Sequence, residues 1–336
     1  DLGKMTSQMS PRKRMQCYAV LGVVITGVLL YLPLVTGPYF QTVMISLFFW
    51  AFVGIAWNIM GGYAGQISLG HAAFLGIGMY TSAVLYVFWG ISPWLSIIIG
   101  ALFSLGLALI TGYFSFQFGI RGPYFILVSL AFAEIIRVVF VNIPSVGGSQ
   151  GLPIPLEKPS FLYFQFVEKA PFYYIFLVLM ILGLFINWRI TKSRLGYYLV
   201  SIRENEDAAA TLGVNPLKYK LIALSISAMM TSVGGTVWAQ YLMYAEPSHA
   251  FGVTMSIEIA IRPIIGGMGT LFGPVIGSLF LTPLGECIRL FVGGSVSGVQ
   301  LLVYGVILIG VVLLLPNGLV FPLQKLLSKV FGGKEQ

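Results

Sequence analysis

Apolar residues run along this chain in blocks of roughly 17 to 25, the length that carries a helix across a bilayer. The blocks fall at residues 15–35, 40–60, 69–89, 94–118, 123–143, 172–190, 219–243, 255–268, 271–292 and 299–315. The eighth is short and is interrupted by Gly266, Gly267 and Gly269, so it reads either as a half-helix or as a full crossing. The pattern predicts an all-α membrane protein. We expect one polytopic domain over residues 1–336, a bundle of about 10 transmembrane helices with broken or re-entrant Gly-rich segments.

One stretch departs from the pattern. Residues 194–220, RLGYYLVSIRENEDAAATLGVNPLKYK, carry charges of both signs and must face water. Asn205 can cap a short helix whose first turn holds Glu206 and Asp207, beside the positive end of the helix dipole. Ala208 to Leu212 continue it, and Gly213 with Pro216 end it. A helix of two turns is marginal by itself in water, so it is expected to dock onto something.

Composition agrees with the spans: 57% of residues are hydrophobic and 9% charged, against about a quarter charged in soluble domains. The net charge of +8 does not point to a nucleic-acid partner, because Lys and Arg gather at the ends of the apolar blocks. Lys4, Arg12, Lys13 and Arg14 precede a block too long for a signal-peptide core, which is read as a retained first span. With residues 1–14 inside, alternation places Arg121, the stretch from Arg189 to Lys220 that contains the loop 191–218, and the tail 317–336 on the same inner side, with 14 of the 19 Lys and Arg residues. Both termini and the charged helix are then cytoplasmic. The loop 144–171 lies outside; it is rich in Gly, Pro and aromatic residues and reads as an ordered cap in preference to a substrate clamp. The tail has the apolar and basic residues of a helix lying on the inner surface. Cys17 and Cys287 have no metal spacing and are expected buried as small hydrophobes.

Little in the chain suits catalysis or energy transduction. No phosphate-cradling G-x-x-x-x-G-K-[ST] occurs, so the chain cannot hydrolyse ATP by itself, and no cofactor is expected on it. His71 and His249 belong to no metal-ligand spacing, and Ser68 with His71 lacks a carboxylate nearby to orient the imidazole. Three carboxylate and arginine pairs stand at helical spacing in the spans: Glu134 with Arg137, Glu258 with Arg262, and Glu286 with Arg289. An unpaired charge at the bilayer centre costs at least about 2.5 kcal/mol, and pairing on one helix face offsets it. The pairs therefore serve either self-neutralisation or the lining of a path for a zwitterion. Two glycine-rich breaks, 61–71 and 266–274, each follow a span running inward, and both open with Gly-Gly. They admit close helix packing and an internal repeat around a pathway, and the two can coexist. Gln66, Ser68, His71, Glu134, Glu258, Arg262, Gly266 and Gly267 are the candidate path residues.

Residues 61–80 (GGYAGQISLGHAAFLGIGMY), 121–137 (RGPYFILVSLAFAEIIR), 147–152 (GGSQGL), 265–277 (IGGMGTLFGPVIG) and the closing Pro316-Asn-Gly-Leu319 resemble the permease subunits of bacterial branched-chain amino acid ABC importers, the Liv type. The resemblance covers most of the chain from Trp57 to Leu319. Asp207-Ala-Ala-x-x-x-Gly213 is similar to the EAA-x-x-x-G coupling element of such permeases, with Asp for the first Glu and without the distal Ile-x-Leu-Pro. The resemblance implies ATPase-coupling roles for Arg203, Glu204, Glu206, Asp207, Ala208, Ala209 and Gly213. It implies a second homologous permease, usually a paralogue, two cytoplasmic ATPase subunits that bind the ATP, an extracytoplasmic solute-binding protein, and a place in the bacterial inner membrane. Arg262-Pro263 stands where relatives usually have an apolar residue, which keeps urea, amides and aromatic or other carboxylates open as substrates beside branched-chain amino acids. A secondary transporter or channel is the rival from another class, separated by the ATPase dock that such a carrier does not need.

Overall fold

The computed structural model describes residues 27, 29–33, 35–156, 159–292, 297–315, 318–323 and 325. Among them the chain is all-α except for one pair of two-residue strands. Six helices are long and apolar enough to cross a membrane. They are α1 (Pro38–Asn58, prolonged by a π-turn over Ile59–Tyr63), α2 (His71–Trp89), α3 (Pro93–Gln117), α4 (Pro123–Val141), α5 (Ala170–Thr191) and, further along, α8 (Pro216–Leu242). Each matches an expected span to within a few residues. Between α5 and α8 lie α6 (Arg194–Glu204) and α7 (Glu206–Thr211). After α8 come α9 (Pro247–Ala250), α10 (Val253–Gly266), α11 (Gly273–Val292) and α12 (Ser297–Leu314). At 14 residues, α10 rises only about 21 Å, short of the ~30 Å hydrocarbon core. Most of the expected span at 15–35 and about half of the surface helix expected over 317–330 lie outside the described residues.

Small residues set the packing. Without a hydrophobic force between helices in lipid, association rests on close van der Waals approach, which small side chains permit. A side chain at Gly78 of α2 would collide with the Ser232 carbonyl of α8, and one at Gly235 of α8 with the Leu75 carbonyl of α2. Hydroxyls and amides fasten the same seam: Thr236 Oγ1 donates to Gly78 O at 3.1 Å, and Gln240 Nε2 to Ser82 Oγ at 2.8 Å. On the other flank of α8, Trp238 stacks on Phe49 of α1 at 4.0 Å between centroids. Helices α1, α2 and α8 are thus the buried centre, whereas α4 is mostly exposed in the single subunit.

At the end of the bundle opposite α7, the loop 144–171 folds back onto the helices. Met243 ends α8 in the left-handed conformation (φ 53°), and Tyr244–Ala245 (β2) then pairs antiparallel with Leu152–Pro153 (β1). Tyr80 Oη donates to Ala245 O at 3.0 Å, and Ser92 Oγ and Trp94 Nε1 donate to the carbonyls of Leu162 and Phe161 at 2.5 and 3.0 Å. One expectation is overturned here: among the described residues Cys287 is not buried but exposed on α11, whereas Cys17 lies outside them.

Candidate functional site

The charged stretch forms two helices bent at one residue. Asn205 is extended (φ −160°, ψ 107°), which breaks α6 from α7, and its Oδ1 accepts from Ala208 N at 3.0 Å. Glu206 and Asp207 fill the first turn of α7, where the dipole favours them. Gly213 closes it with φ 87°: its N–H donates to Ala210 O at 3.0 Å, and Val214 N–H to Ala209 O at 3.1 Å. Pro216 then opens α8 with Asn215 as its cap.

A six-residue helix needs tertiary support, and α7 has an ionic anchor. Glu206 Oε2 meets Lys220 Nζ at 2.5 Å and Arg121 Nε at 3.2 Å; Arg121 Nη1 also donates to Asp207 Oδ1 at 3.0 Å. Lys220 is fully buried, its ammonium 5.3 Å from the centre of the Phe116 ring. Ala209 is buried on the same side. The other side is open: Glu204, Asp207, Ala208, Ala210, Thr211, Leu212 and Gly213 are exposed, and Leu212 has 84% of its surface free.

Arg203 is exposed but reaches from that open side to the bundle. Its Nη1 donates to Gly62 O at 3.1 Å, while Nε and Nη2 hold Glu204 Oε1 at 3.2 and 2.8 Å. A side chain on Gly65 would fall 2.5 Å from Arg203 Cγ, and one on Gly269 2.8 Å from Arg203 Nη1. The arginine therefore occupies the place where the two glycine breaks meet. Asn58 joins them from within: its Nδ2 donates to Thr270 O and its Oδ1 accepts from Gly269 N, both at 2.9 Å.

The first break is a folded loop. After the π-turn, Gln66 N–H returns to Met60 O at 3.1 Å, and Trp57 Nε1 donates to Ser68 O at 2.8 Å. His71 opens α2 and is wholly buried. Its Nε2 lies 2.7 Å from Ser227 Oγ, which itself donates to Ala56 O at 2.6 Å, so Nε2 carries the proton that Ser227 accepts. Nδ1 then accepts from Ser68 Oγ at 3.2 Å. This is a hydrogen-bonded structural imidazole, and no carboxylate is among its partners. Gln66 is buried, with no hydrogen-bond partner for its Oε1 among the described residues. Near Ser68, a cavity of about 20 Å3 lies between α2, α3, α4 and α8, lined by hydroxyls of Thr111, Ser115 and Ser129, room for a single water.

In the second break, neither Gly266 nor Gly267 suits a side chain: a Cβ on Gly266 would strike Gly273 O, and Gly267 has φ 127°, a conformation that other residues rarely adopt. The closing segment seals it, Gly318 lying against Gly267 and Leu319 N–H donating to Ile265 O at 2.9 Å.

The three charge pairs all form, in different settings. Glu134 and Arg137 make a two-pronged bridge (closest 2.5 Å) on partly exposed α4. Arg262 is buried, its guanidinium 3.7 Å above the Trp50 ring; it donates to the Glu258 carbonyl and lies 3.5 Å from the Glu258 carboxylate. Its Nε has no hydrogen-bond partner among the described residues. Arg289 meets Glu286 at 2.6 Å. Of the candidate path residues, Glu134 and Glu258 reach the subunit surface, whereas Gln66, Ser68, His71, Arg262, Gly266 and Gly267 are enclosed. Of the candidate coupling residues, Glu204, Asp207, Ala208 and Gly213 lie outward; Arg203, Glu206 and Ala209 grip the chain itself. Sequence reasoning passed over Arg121, Lys220, Asn58 and Trp50, which have no local signal. It also passed over Leu212, which had one: a large apolar residue in a polar stretch.

An ion-anchored surface helix over a bundle with paired glycine breaks defines a polytopic membrane protein that carries one charged helix on its surface. The profile of the family described as branched-chain amino acid transport system / permease component matches residues 39–315, and the chain belongs to that family. It is 27% identical over 263 residues to the high-affinity branched-chain amino acid transport system permease protein LivM of Escherichia coli, covering 71% of this chain and 61% of that protein. It therefore spans about three-fifths of the LivM relatives it matches. It is also 27% identical over 253 residues to the nucleoside ABC transporter permease protein NupC of Lactococcus lactis, covering 70% of this chain and 77% of NupC. A shorter match, 32% over 111 residues, joins it to the xylose transport system permease protein XylH of Haemophilus influenzae, covering 32% of this chain and 29% of XylH. No solved structure matches.

Proposed function

We propose that this chain is the membrane-spanning permease subunit of an ATP-driven importer for branched-chain or related amino acids in the bacterial inner membrane. The observation that carries the reading is the two-sided build of α7. One side is locked to the bundle through Glu206, Lys220 and Arg121; the other presents Glu204, Asp207, Ala208, Thr211 and Leu212 to a partner. That partner is an ATPase subunit, which binds the ATP that this chain has no phosphate loop to hold. A self-sufficient carrier has no use for such a face, and family membership supports the importer. A second, homologous permease faces the side of the bundle that carries Glu134 and Glu258, because partly exposed charges at membrane depth are favoured next to protein or a water-filled path, not lipid. The folded loop 144–171 is the receiving surface for a solute-binding protein, on the side opposite the cytoplasmic termini. The LivM relatives support an amino-acid substrate; the nucleoside and xylose relatives make those solutes the controls.

The test is uptake by proteoliposomes holding the two permeases and ATPases, with the binding protein added, using labelled leucine, isoleucine, valine, a nucleoside, xylose and urea. ATP-dependent uptake of the branched-chain amino acids is expected. Uptake that persists without the ATPases refutes the importer, and ATP-driven uptake of another solute alone refutes the substrate.

A further inference from the structure

We propose that Arg203 is the residue through which movement of α7 reaches both glycine breaks; the inference rests on the importer reading and assigns an internal transmission point to it. Three observations converge. First, Arg203 is the last arginine of α6, next to the bend at Asn205, so any rotation of α7 about that bend is felt there. Second, its guanidinium spans two structures: Glu204 on the open side takes Nε and Nη2, and the Gly62 carbonyl inside the first break takes Nη1. A partner cation approaching Glu204 competes for the carboxylate that orients the fork. Third, the seat is cut to the side chain. Gly65 (φ 68°) and Gly269 (φ 73°) leave room for the arginine stem and head that a methyl group would fill.

From Gly62 the connection continues without a gap. Gly62 lies against Asn58 and Gly269, and Asn58 hydrogen-bonds Gly269 and Thr270 in the second break. The two breaks thus move as one unit with Arg203 as its handle. Arg203 is a positioning residue: it acts on the path through the backbone of Gly62 and Gly269 and touches no substrate. Lysine in its place supplies a point charge without the fork, so it can reach Gly62 O or Glu204 but does not bridge them.

The experiment compares wild type, R203A, R203K and G65A in the reconstituted importer, reading three quantities: ATPase subunits retained on the purified complex, ATP hydrolysed, and substrate moved per ATP. Retained ATPases and hydrolysis are expected in R203A with about a tenfold fall in substrate per ATP, within the range of coupling between distant sites. R203K should fall less. G65A should lower coupling more in the wild-type background than when combined with R203A, because the closest collision partner, Arg203 Cγ, has gone while the strain of a side chain at φ 68° is the same in both. A purely structural role would lower assembly and hydrolysis together and leave substrate per ATP unchanged, which overturns the proposal. So does wild-type coupling in R203A, or in R203K should R203A not assemble. If the wild-type assembly itself takes up substrate without ATP, the importer reading fails; if wild type is ATP-driven and the Arg203 variants stay as coupled as wild type, that reading stands and this inference fails.

Discussion

Replacing Glu206 by Gln keeps the size of the side chain and removes the charge that holds α7. Lys220 Nζ sits 2.5 Å from that carboxylate and is fully buried, so E206Q leaves an ammonium in the bundle with only a neutral amide oxygen facing it. Removing one partner of a buried pair costs about 3–5 kcal/mol. Glu206 retains some exposure, 15% of its side chain, and Arg121 loses a partner but keeps Asp207, so the lower end applies, about 3 kcal/mol. Almost all of it falls on docking of α7, because the helix has too few residues to be stable alone. At tenfold per 1.4 kcal/mol, the undocked population rises about 100-fold. Hydrogen exchange of the backbone amides of residues 208–212 in detergent reads that population directly. E206Q should speed them about 100-fold while amides of α2 and α8 stay protected. The double variant E206Q/K220M, which removes both charges, should recover most of the protection, because an apolar pair of similar volume is often neutral or better than a buried ion pair. Unchanged exchange in E206Q, or a double variant as fast as the single one, would refute the anchor.

Other expectations follow from the same geometry. Asn205→Ala removes the cap on Ala208 N and should weaken α7 by about 1 kcal/mol, seen as roughly fivefold faster exchange at Ala208. Leu212→Asp changes a side chain that is 84% exposed among the described residues, so the melting temperature should hold while ATPase subunits are lost from the purified complex. His71→Ala breaks two buried hydrogen bonds and opens a cavity; a loss of at least about 2 kcal/mol in denaturant unfolding is expected. Gly266→Ala drives a methyl group into Gly273 O and should cost about 3 kcal/mol or prevent folding, whereas Gly305→Ala, with open space around it, should leave expression and melting unchanged.

Much of this could be read from the chain itself. Spans are a matter of composition over some 20 residues, because a bilayer has no water for unpaired backbone and accepts little but apolar helix. The caps of α7 at Asn205 and Gly213 are local, each decided by the backbone within four residues. The charge pairs at i, i+3 and i, i+4 lie on one helix face and form wherever that helix goes. Tertiary structure alone decided which way the charged stretch faces. Seven coupling candidates stood together in sequence, but packing turned Glu206 and Ala209 inward, let the exposed Arg203 reach Gly62 O, and left Glu204, Asp207 and Ala208 outward. Nothing local marks Lys220, Arg121 or Gly62 as the partners, since they come from three other segments that meet only when the bundle is packed. Likewise, hydropathy could say that Arg262 needs neutralising, and spacing could supply Glu258; that Trp50 covers its guanidinium depends on how α1 lies against α10. A side chain's reach is fixed by its residue type, but what it reaches is fixed by the helices that close around it.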